Sequence, residues 1–129
     1  MPPVLPQLPP LEPVDLSTLT LRQKQSRFVL MQAYLVAFAL SKGYELTSGD
    51  AYRDPRVFGA MGQRMGYGES MSAHKQRLAK DWNLYRNGVY LTATDDHREL
   101  GEFWESIGGA WGGRFNDGNH YSLEHNGVK

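Results

Sequence analysis

The chain contains no cysteine, so neither a disulfide bond nor a thiolate metal ligand can form. Any metal site must therefore be built from histidine and carboxylate side chains. An excess of charge of one sign is also absent, because 14 basic residues balance 14 acidic ones. The strong basic field that is typical of nucleic-acid-binding proteins is thus missing, and we expect no nucleic-acid partner.

Long apolar segments are missing as well. The most apolar run, residues 28–40, has 13 residues and includes a glutamine, whereas a membrane-spanning helix needs about 20. We therefore expect a buried helix here and no membrane insertion. Since the amino-terminal stretch has no basic region followed by an apolar one, we also expect no secretory signal and synthesis in the cytoplasm.

Proline is scarce except at one end, where residues 2–13 hold six of the seven prolines. Such a stretch favours an extended polyproline conformation. We predict an extended arm over residues 1–16, either loosely docked or binding a partner, and a single folded domain over residues 17–129.

The remaining chain predicts alternating helices and strands. Thr20 and Gln23 have capping-box spacing ahead of an apolar stripe, and Gly43 is placed to end that helix. Further elements are predicted as a strand at 44–48, a hairpin of 78–85 and 89–92, a helix with an aspartate cap at 95–107, and a strand at 120–125. The stretches 58–70 and 108–119 are rich in glycine; the first is predicted to be a loop or a short helix and the second a loop. This order indicates a small α+β domain with a mostly antiparallel sheet packed on helices.

Two of the four histidines have structural interpretations that suffice. His97 lies beside two aspartates near a helix start and is predicted to be at the surface. His125 is five residues past His120, so in a continuous strand the two side chains would point to opposite faces. We therefore do not expect His125 to share a site with His120.

The residues that remain are His74, Asp81 and His120. Two imidazoles and a carboxylate match a catalytic zinc ligand set that leaves one position for water, and zinc lowers the pKa of such a water towards neutrality. Asp117 precedes His120 by three residues in an Asp-Gly turn and is a candidate general base. Taken alone, the spacing of these residues is also typical of an ordinary polar protein surface.

Three stretches extend the pattern in a fixed order: TSGDAYRD (47–54), SAHKQRLAKD (72–81) and WGGRFNDGNHYS (111–122). Together they resemble the signatures of the zinc D-alanyl-D-alanine and L-alanyl-D-glutamate metallopeptidases, a family that includes phage endolysins. The resemblance covers roughly residues 20–125. It implies the fold of the hedgehog and D-alanyl-D-alanine peptidase group, with the zinc site at the sheet.

By this resemblance the zinc ligands would be His74, Asp81 and His120, and Asp117 would be the general base. Arg53 would bind the substrate and help to stabilise the oxyanion that forms on its carbonyl group.

Some implied residues have simpler alternatives or depart from the family pattern. Arg53 is also suited to a salt bridge with Asp50 or Asp54. Ser72, which the resemblance places in the substrate-side wall or near the metal, is also suited to capping its own loop. Arg77 stands where many members of the family have glycine.

The function implied by the resemblance is that of a zinc-dependent peptidoglycan peptidase. The specific expectation is a monomeric L-alanyl-D-glutamate endopeptidase of the phage endolysin type, which is made in the host cytoplasm and cleaves stem peptides of the cell wall after release. The alternatives are a D-alanyl-D-alanine carboxypeptidase or dipeptidase, and a catalytically inactive zinc-containing module that binds the wall.

Overall fold

The computed structural model describes residues 7–52, 54, 56, 60–62, 64 and 72–129. Within these residues there are two α-helices, α1 (Leu21–Ser41) and α2 (Arg98–Ser106). There are also five β-strands: β1 (Glu45–Ser48), β2 (Ala79–Arg86), β3 (Val89–Leu91), β4 (Ala110–Trp111) and β5 (His120–Ser122). Residues 7–15 form neither helix nor strand, and most of the glycine-rich stretch 58–70 lies outside the described part.

The sheet is organised around β2, the longest strand. Its first residues pair with β5, and its last residues pair with β1 on one side and β3 on the other. β4 extends the sheet beyond β5, and every pairing is antiparallel. The prediction of an α+β domain with an antiparallel sheet and two helices is therefore confirmed.

Helix α1 begins and ends where the local sequence predicts. The hydroxyl group of Thr20 accepts a hydrogen bond from the backbone N–H of Gln23 at 3.2 Å, and the Gln23 side chain accepts from the N–H of Thr20 at 2.9 Å. Gly43 follows the helix with a φ of 84°, a conformation that glycine adopts without strain. Neither α1 nor α2 combines the length and the apolar content that crossing a bilayer requires.

The core lies between the two helices and one face of the sheet. Phe28 of α1 meets Trp104 of α2 edge to face, with ring centroids 5.8 Å apart, and Phe38 stacks on Phe103 at 4.2 Å. The indole N–H of Trp104 donates to the carbonyl group of Ser122 at 2.9 Å. This bond ties α2 directly to β5.

Three predictions differ from the structure by more than one residue. Helix α2 begins at Arg98, because the residues before it form the 3₁₀ helix Thr94–His97, in which the Asp96 carboxylate accepts from the N–H of Ala93 at 3.0 Å. β5 ends at Ser122 rather than at residue 125. The predicted loop 108–119 contains β4 and the 3₁₀ helix Gly112–Phe115. Strand limits depend on the partner strand, which local sequence does not specify.

The prediction that His97 lies at the surface is also wrong. Its side chain is buried, with 2% of the residue exposed, and its Nδ1 lies 2.8 Å from the hydroxyl group of Tyr121. His97 precedes Leu100 and Trp104 by three and seven residues, so it continues the apolar face of α2 by one turn. This helical spacing was visible in the sequence and outweighs the two neighbouring aspartates.

Burial of His97 makes stability depend on pH. Burial lowers the pKa of His97 to about 4, whereas an unfolded chain has a histidine pKa of about 6.5. Between these values the unfolded state binds the additional proton, so the contribution of His97 is complete above pH 6.5 and is lost as the pH falls towards 4, by up to about 3 kcal/mol. Urea unfolding from pH 4.5 to 7.5 will measure the slope. His97→Gln should flatten it and His125→Gln should not; equal slopes in all three proteins would contradict this assignment.

Candidate metal centre

The β2–β5 ladder brings together two of the three predicted ligands. Asp81 of β2 stands directly opposite His120 of β5, and residues opposite each other in an antiparallel pair have Cβ atoms about 5 Å apart. Asp81 Oδ1 accordingly lies 3.5 Å from His120 Nδ1. The register of the sheet is therefore what places the carboxylate beside the imidazole.

His74 reaches the same point from the segment just before β2. It lies in the 3₁₀ helix Ala73–Gln76, and the hydroxyl group of Ser72 caps this helix by accepting from the N–H of His74 at 3.2 Å. The chain then turns at Arg77 and enters β2. His74 Nε2 lies 3.1 Å from Asp81 Oδ1, and the rings of His74 and His120 are 5.1 Å apart.

A backbone carbonyl group fixes the protonation of His74. His74 Nδ1 lies 2.6 Å from the carbonyl oxygen of Ala51. Because a carbonyl oxygen only accepts hydrogen bonds, Nδ1 must carry a proton. In the neutral ring Nε2 then has a free lone pair directed towards the cluster, which is how histidine ligands are oriented in metal sites.

The cluster is largely buried, and its carboxylate is ionised at neutral pH. Only 2% of His74 and 5% of His120 are exposed. Burial by itself raises the pKa of Asp81, but the adjacent imidazoles of His120 and His74 outweigh burial and lower that pKa to about 2. Among the described residues, His120 Nε2 is buried without a hydrogen-bond partner. A bound cation would stabilise a largely buried carboxylate that lies between two imidazole rings.

The distances fit a small divalent ion. One ligand atom from each of His74, Asp81 and His120 lies within 4.8 Å of the other two. Ligand atoms bound at about 2.1 Å to a tetrahedral zinc ion are about 3.4 Å apart, and the two distances from Asp81 Oδ1 are 3.1 and 3.5 Å. The group could therefore hold a metal ion. Imidazole and carboxylate ligands suit zinc and also several other transition metals.

Asp117 lies at the rim of this cluster. The N–H of His120 donates to the carbonyl group of Asp117 at 3.1 Å, which closes a four-residue turn immediately before β5. The carboxylate of Asp117 is 52% exposed, and its Oδ2 lies 4.0 Å from His120 Nδ1. The predicted base is thus close to the cluster but accessible to solvent.

The other residues singled out from the sequence have different positions. Arg53 lies outside the described residues, so its role stays a prediction, while Asp54, one of its alternative partners, pairs with Arg56 at 2.6 Å. Ser72 caps the helix of His74, and a contact with substrate is likewise still a prediction. His125 does not join the cluster; its Nδ1 lies 3.1 Å from the ammonium group of Lys24.

Two supporting contacts were not foreseen. Ala51 contributes only its carbonyl group, which no side-chain pattern can reveal. Gly112 is required by close packing, because a Cβ atom there would overlap the carbonyl oxygen of Asp117 and lie 2.6 Å from the Cβ of His120. The paired glycines before the Asp-Gly turn were the only available sign of that contact.

One of two cavities borders the turn between Asp117 and His120. The larger, about 510 Å³, is lined in part by Lys24, Arg114 and Phe115 and, like the smaller one, includes none of the three cluster residues among its described lining. The smaller, about 200 Å³, includes Asp117 itself in its wall. The smaller cavity is therefore the one that adjoins the predicted chemistry.

Comparison of the chain with protein-family models and with curated proteins gave no match. The resemblance to the zinc metallopeptidases consequently rests on the three motif stretches and on the geometry of the cluster. Membership of that family is a proposal.

Metal binding is directly testable. After treatment with a chelator, the protein should bind one zinc ion per chain, and at a free zinc concentration a hundredfold above Kd the free energy of unfolding should rise by about 2.7 kcal/mol. Titration calorimetry and urea unfolding measure these quantities. His74→Asn should remove the effect and His125→Asn should retain it. Undiminished zinc binding by the His74 variant would show that the ion sits elsewhere.

The packing at Gly112 predicts a second effect. Gly112→Ala should destabilise the fold by about 1 to 3 kcal/mol, as overpacking does, and should also weaken zinc binding because the turn that carries Asp117 and His120 must shift. Gly43→Ala is the matched control, since it meets no atom within 4 Å and costs only backbone strain of about 1 to 2 kcal/mol. If both variants keep the zinc affinity of the parent, Gly112 does not position the site.

Proposed function

We propose that the protein is a zinc-dependent peptidoglycan peptidase, specifically an L-alanyl-D-glutamate endopeptidase of the phage endolysin type. The observation that carries this proposal is the convergence of His74, Asp81 and His120 on one point, with the carboxylate of Asp117 4.0 Å from the His120 ring. The motif stretches that contain these residues support the choice of substrate.

In this proposal His74, Asp81 and His120 hold the ion. Zinc, when bound, supplies a Lewis acid that polarises a carbonyl group and makes water a better nucleophile at neutral pH. The ionised carboxylate of Asp81 offsets part of the ion's charge. The bond from His74 Nδ1 to the carbonyl group of Ala51 keeps the other ring nitrogen available as a ligand.

In this proposal Asp117 acts first as the general base and then as the general acid. Its carboxylate accepts a proton from the attacking water and then donates that proton to the nitrogen of the leaving amine. One carboxylate can serve both steps only if it lies near both groups, and its position at the exposed rim of a buried cluster provides this access. The leaving side of the substrate therefore lies against Asp117. Arg53 is proposed to stabilise the oxyanion.

Charge favours an endopeptidase over a carboxypeptidase. A carboxypeptidase always meets a free terminal carboxylate on the leaving side, which calls for a cation there, whereas the α-carboxyl group of the glutamate that an endopeptidase releases can be a neutral carboxamide. The described residues that line the cavity beside Asp117 include no lysine or arginine. Lys75 is buried, and its ammonium group donates a hydrogen bond to the carbonyl group of Ala60. Arg56 forms a salt bridge with Asp54. A D-alanyl-D-alanine carboxypeptidase is accordingly the less favoured alternative.

The role of Asp117 can be separated from metal binding. Asp117→Asn should keep the zinc stoichiometry and the unfolding midpoint of the parent but lower the rate of hydrolysis by about 100- to 10,000-fold, the usual contribution of a general acid–base group. Mass spectrometry of digested sacculi gives the rate and the new termini. Asp95→Asn, at an exposed carboxylate paired with Arg98, is the matched control and should digest like the parent.

Two results would count against these assignments. An Asp117→Asn variant that digests walls as fast as the parent would remove Asp117 as the base. Release of terminal D-alanine without new amino-terminal glutamate would replace the endopeptidase by the carboxypeptidase. Intact sacculi after treatment with the zinc-loaded parent would favour the binding module.

A further inference from the structure

One face of the sheet carries an exposed pair of tyrosines. Tyr85 of β2 and Tyr90 of β3 stand directly opposite each other, and their rings stack with centroids 5.1 Å apart and an angle of 27° between the planes. Tyr90 is 52% exposed. A cross-strand aromatic pair stabilises a hairpin, and the exposed part of these rings also offers a surface on which a ligand can bind.

The tyrosine pair lies on the same face of the sheet as the candidate metal centre. Side chains at alternate positions of a strand point to one face, so Asp81, Asn83 and Tyr85 share a face of β2. Leu84 points to the other face and is completely buried. At a rise of about 3.3 Å per residue, Tyr85 is ~13 Å from Asp81 along the strand. A ligand that extends from the metal centre along β2 therefore reaches the pair.

A cavity connects the pair with the rim of the metal centre. Asn83 and Tyr90 line the same cavity of about 200 Å³ as Asp117, and the hydroxyl group of Tyr90 donates to Asn83 Oδ1 at 3.4 Å. In the proposed function the leaving side of the substrate lies against Asp117. The part of the substrate that is released consequently continues through this cavity towards Tyr90.

The chemistry of this surface suits a cation. The face of an aromatic ring attracts an ammonium group through the quadrupole of the ring. Glu45 of β1 is exposed and stands opposite Tyr85, across β2 from Tyr90, so its side chain lies on the same face of the sheet. A carboxylate beside two aromatic rings is complementary to a positive charge.

The stem peptide supplies such a cation at a matching distance. Its glutamate is joined through the γ-carboxyl group to a diamino acid, whose side chain ends in an ammonium group. About eleven bonds separate this group from the nitrogen atom that is released, and at an advance of ~1.2 Å per bond they span ~13 Å. In cross-linked stem peptides the same amine is acylated and carries no charge.

We propose that Tyr85, Tyr90 and Glu45 form a subsite for the side-chain ammonium group of the diamino acid, and that the protein consequently prefers stem peptides that are not cross-linked. This inference rests on the proposed function and specifies its substrate class. The preference comes from the attraction of the ammonium group to the two rings and to the carboxylate of Glu45.

Two synthetic stem peptides provide the first test, one with lysine as the diamino acid and one with Nε-acetyl-lysine, which removes the charge. With the zinc-loaded parent at pH 7, kcat/KM should be about three- to tenfold higher for the lysine peptide, as expected for an exposed cation–π contact with a nearby carboxylate. Equal values, or a preference for the acetylated peptide, would overturn the subsite while leaving the proposed function intact. Failure to cut either peptide by a protein that binds zinc would overturn both.

Variants of the surface provide the second test. Tyr90→Leu should reduce the preference to about twofold or less, whereas Tyr90→Phe retains the ring and should retain the preference. Glu45→Gln should also reduce the preference, and it leaves the tyrosine pair in place. Asp95→Asn, which removes an exposed carboxylate paired with Arg98, is the matched control and should behave like the parent. An unchanged ratio in Tyr90→Leu or in Glu45→Gln, or an equal loss in Tyr90→Phe and Tyr90→Leu, would contradict the assignment.

Binding provides a readout that is independent of hydrolysis. The released fragment, γ-D-glutamyl-lysine, and its Nε-acetyl form can be titrated into the zinc-loaded parent while the ring signals of Tyr85 and Tyr90 are followed by NMR. The lysine fragment should shift these signals at lower concentration than the acetylated one. Equal or reversed affinities, no shift at millimolar concentration, or tighter binding of an N-acetylglucosamine trimer at the same rings would overturn the subsite.

Discussion

The antiparallel register of β2 and β5 is the constraint on which the candidate metal centre depends. Asp81 stands opposite His120, and a shift of the pairing by one residue would send the two side chains to different faces of the sheet. β5 has only three residues, so its own ladder fixes the register weakly. Hydrogen bonds from the indole groups of Trp104 and Trp111, to carbonyl groups within β5 and in the turn before it, add the missing restraint.

The same tryptophans fill the core, so the fold and the site share their supports. Trp104 packs against Phe28 of α1, and Trp111 lies so close to Gly101 of α2 that a Cβ atom there would overlap the indole ring. A buried polar cluster normally costs free energy unless its groups are paired. Here a well-packed scaffold keeps the carboxylate of Asp81 between two imidazoles. A bound cation would supply the charge that this cluster lacks, which links metal binding to stability.

Local signals in the sequence predicted the parts of the structure that depend on local interactions. The start of α1 follows from one capping box, and the hairpin of β2 and β3 follows from one Asn-Gly turn, with Asn87 and Gly88 at φ values of 52° and 76°. The limits of β4 and β5 could not be predicted, because each is set by pairing with a strand distant in sequence. The three residues of the cluster were singled out because two imidazoles and a carboxylate match a zinc ligand set and because the motif stretches contain them, and the structure brings their ligand atoms within 4.8 Å of one another.

His97 shows where local chemistry misleads. Two neighbouring aspartates suggested a solvated position, yet the spacing to Leu100 and Trp104 places the ring on the buried face of α2. Its contact with the hydroxyl group of Tyr121 connects that face to the residue after His120. The start of α2 therefore bears on the site through β5, although His97 is not itself a candidate ligand.

Arg77 stands at a position where many members of the family that the chain resembles have glycine. It adopts a φ of 59° at the end of the 3₁₀ helix that carries His74, a left-handed conformation that glycine adopts freely and other residues adopt at a cost of about 1 to 2 kcal/mol. Its guanidinium group lies over the ring of Tyr52, 4.3 Å from the centroid, a contact that offsets part of this strain. The sharp turn that directs the chain from His74 into β2 thus requires a left-handed conformation at position 77, which Arg77 adopts. The approach of His74 to Asp81 depends on this path of the chain.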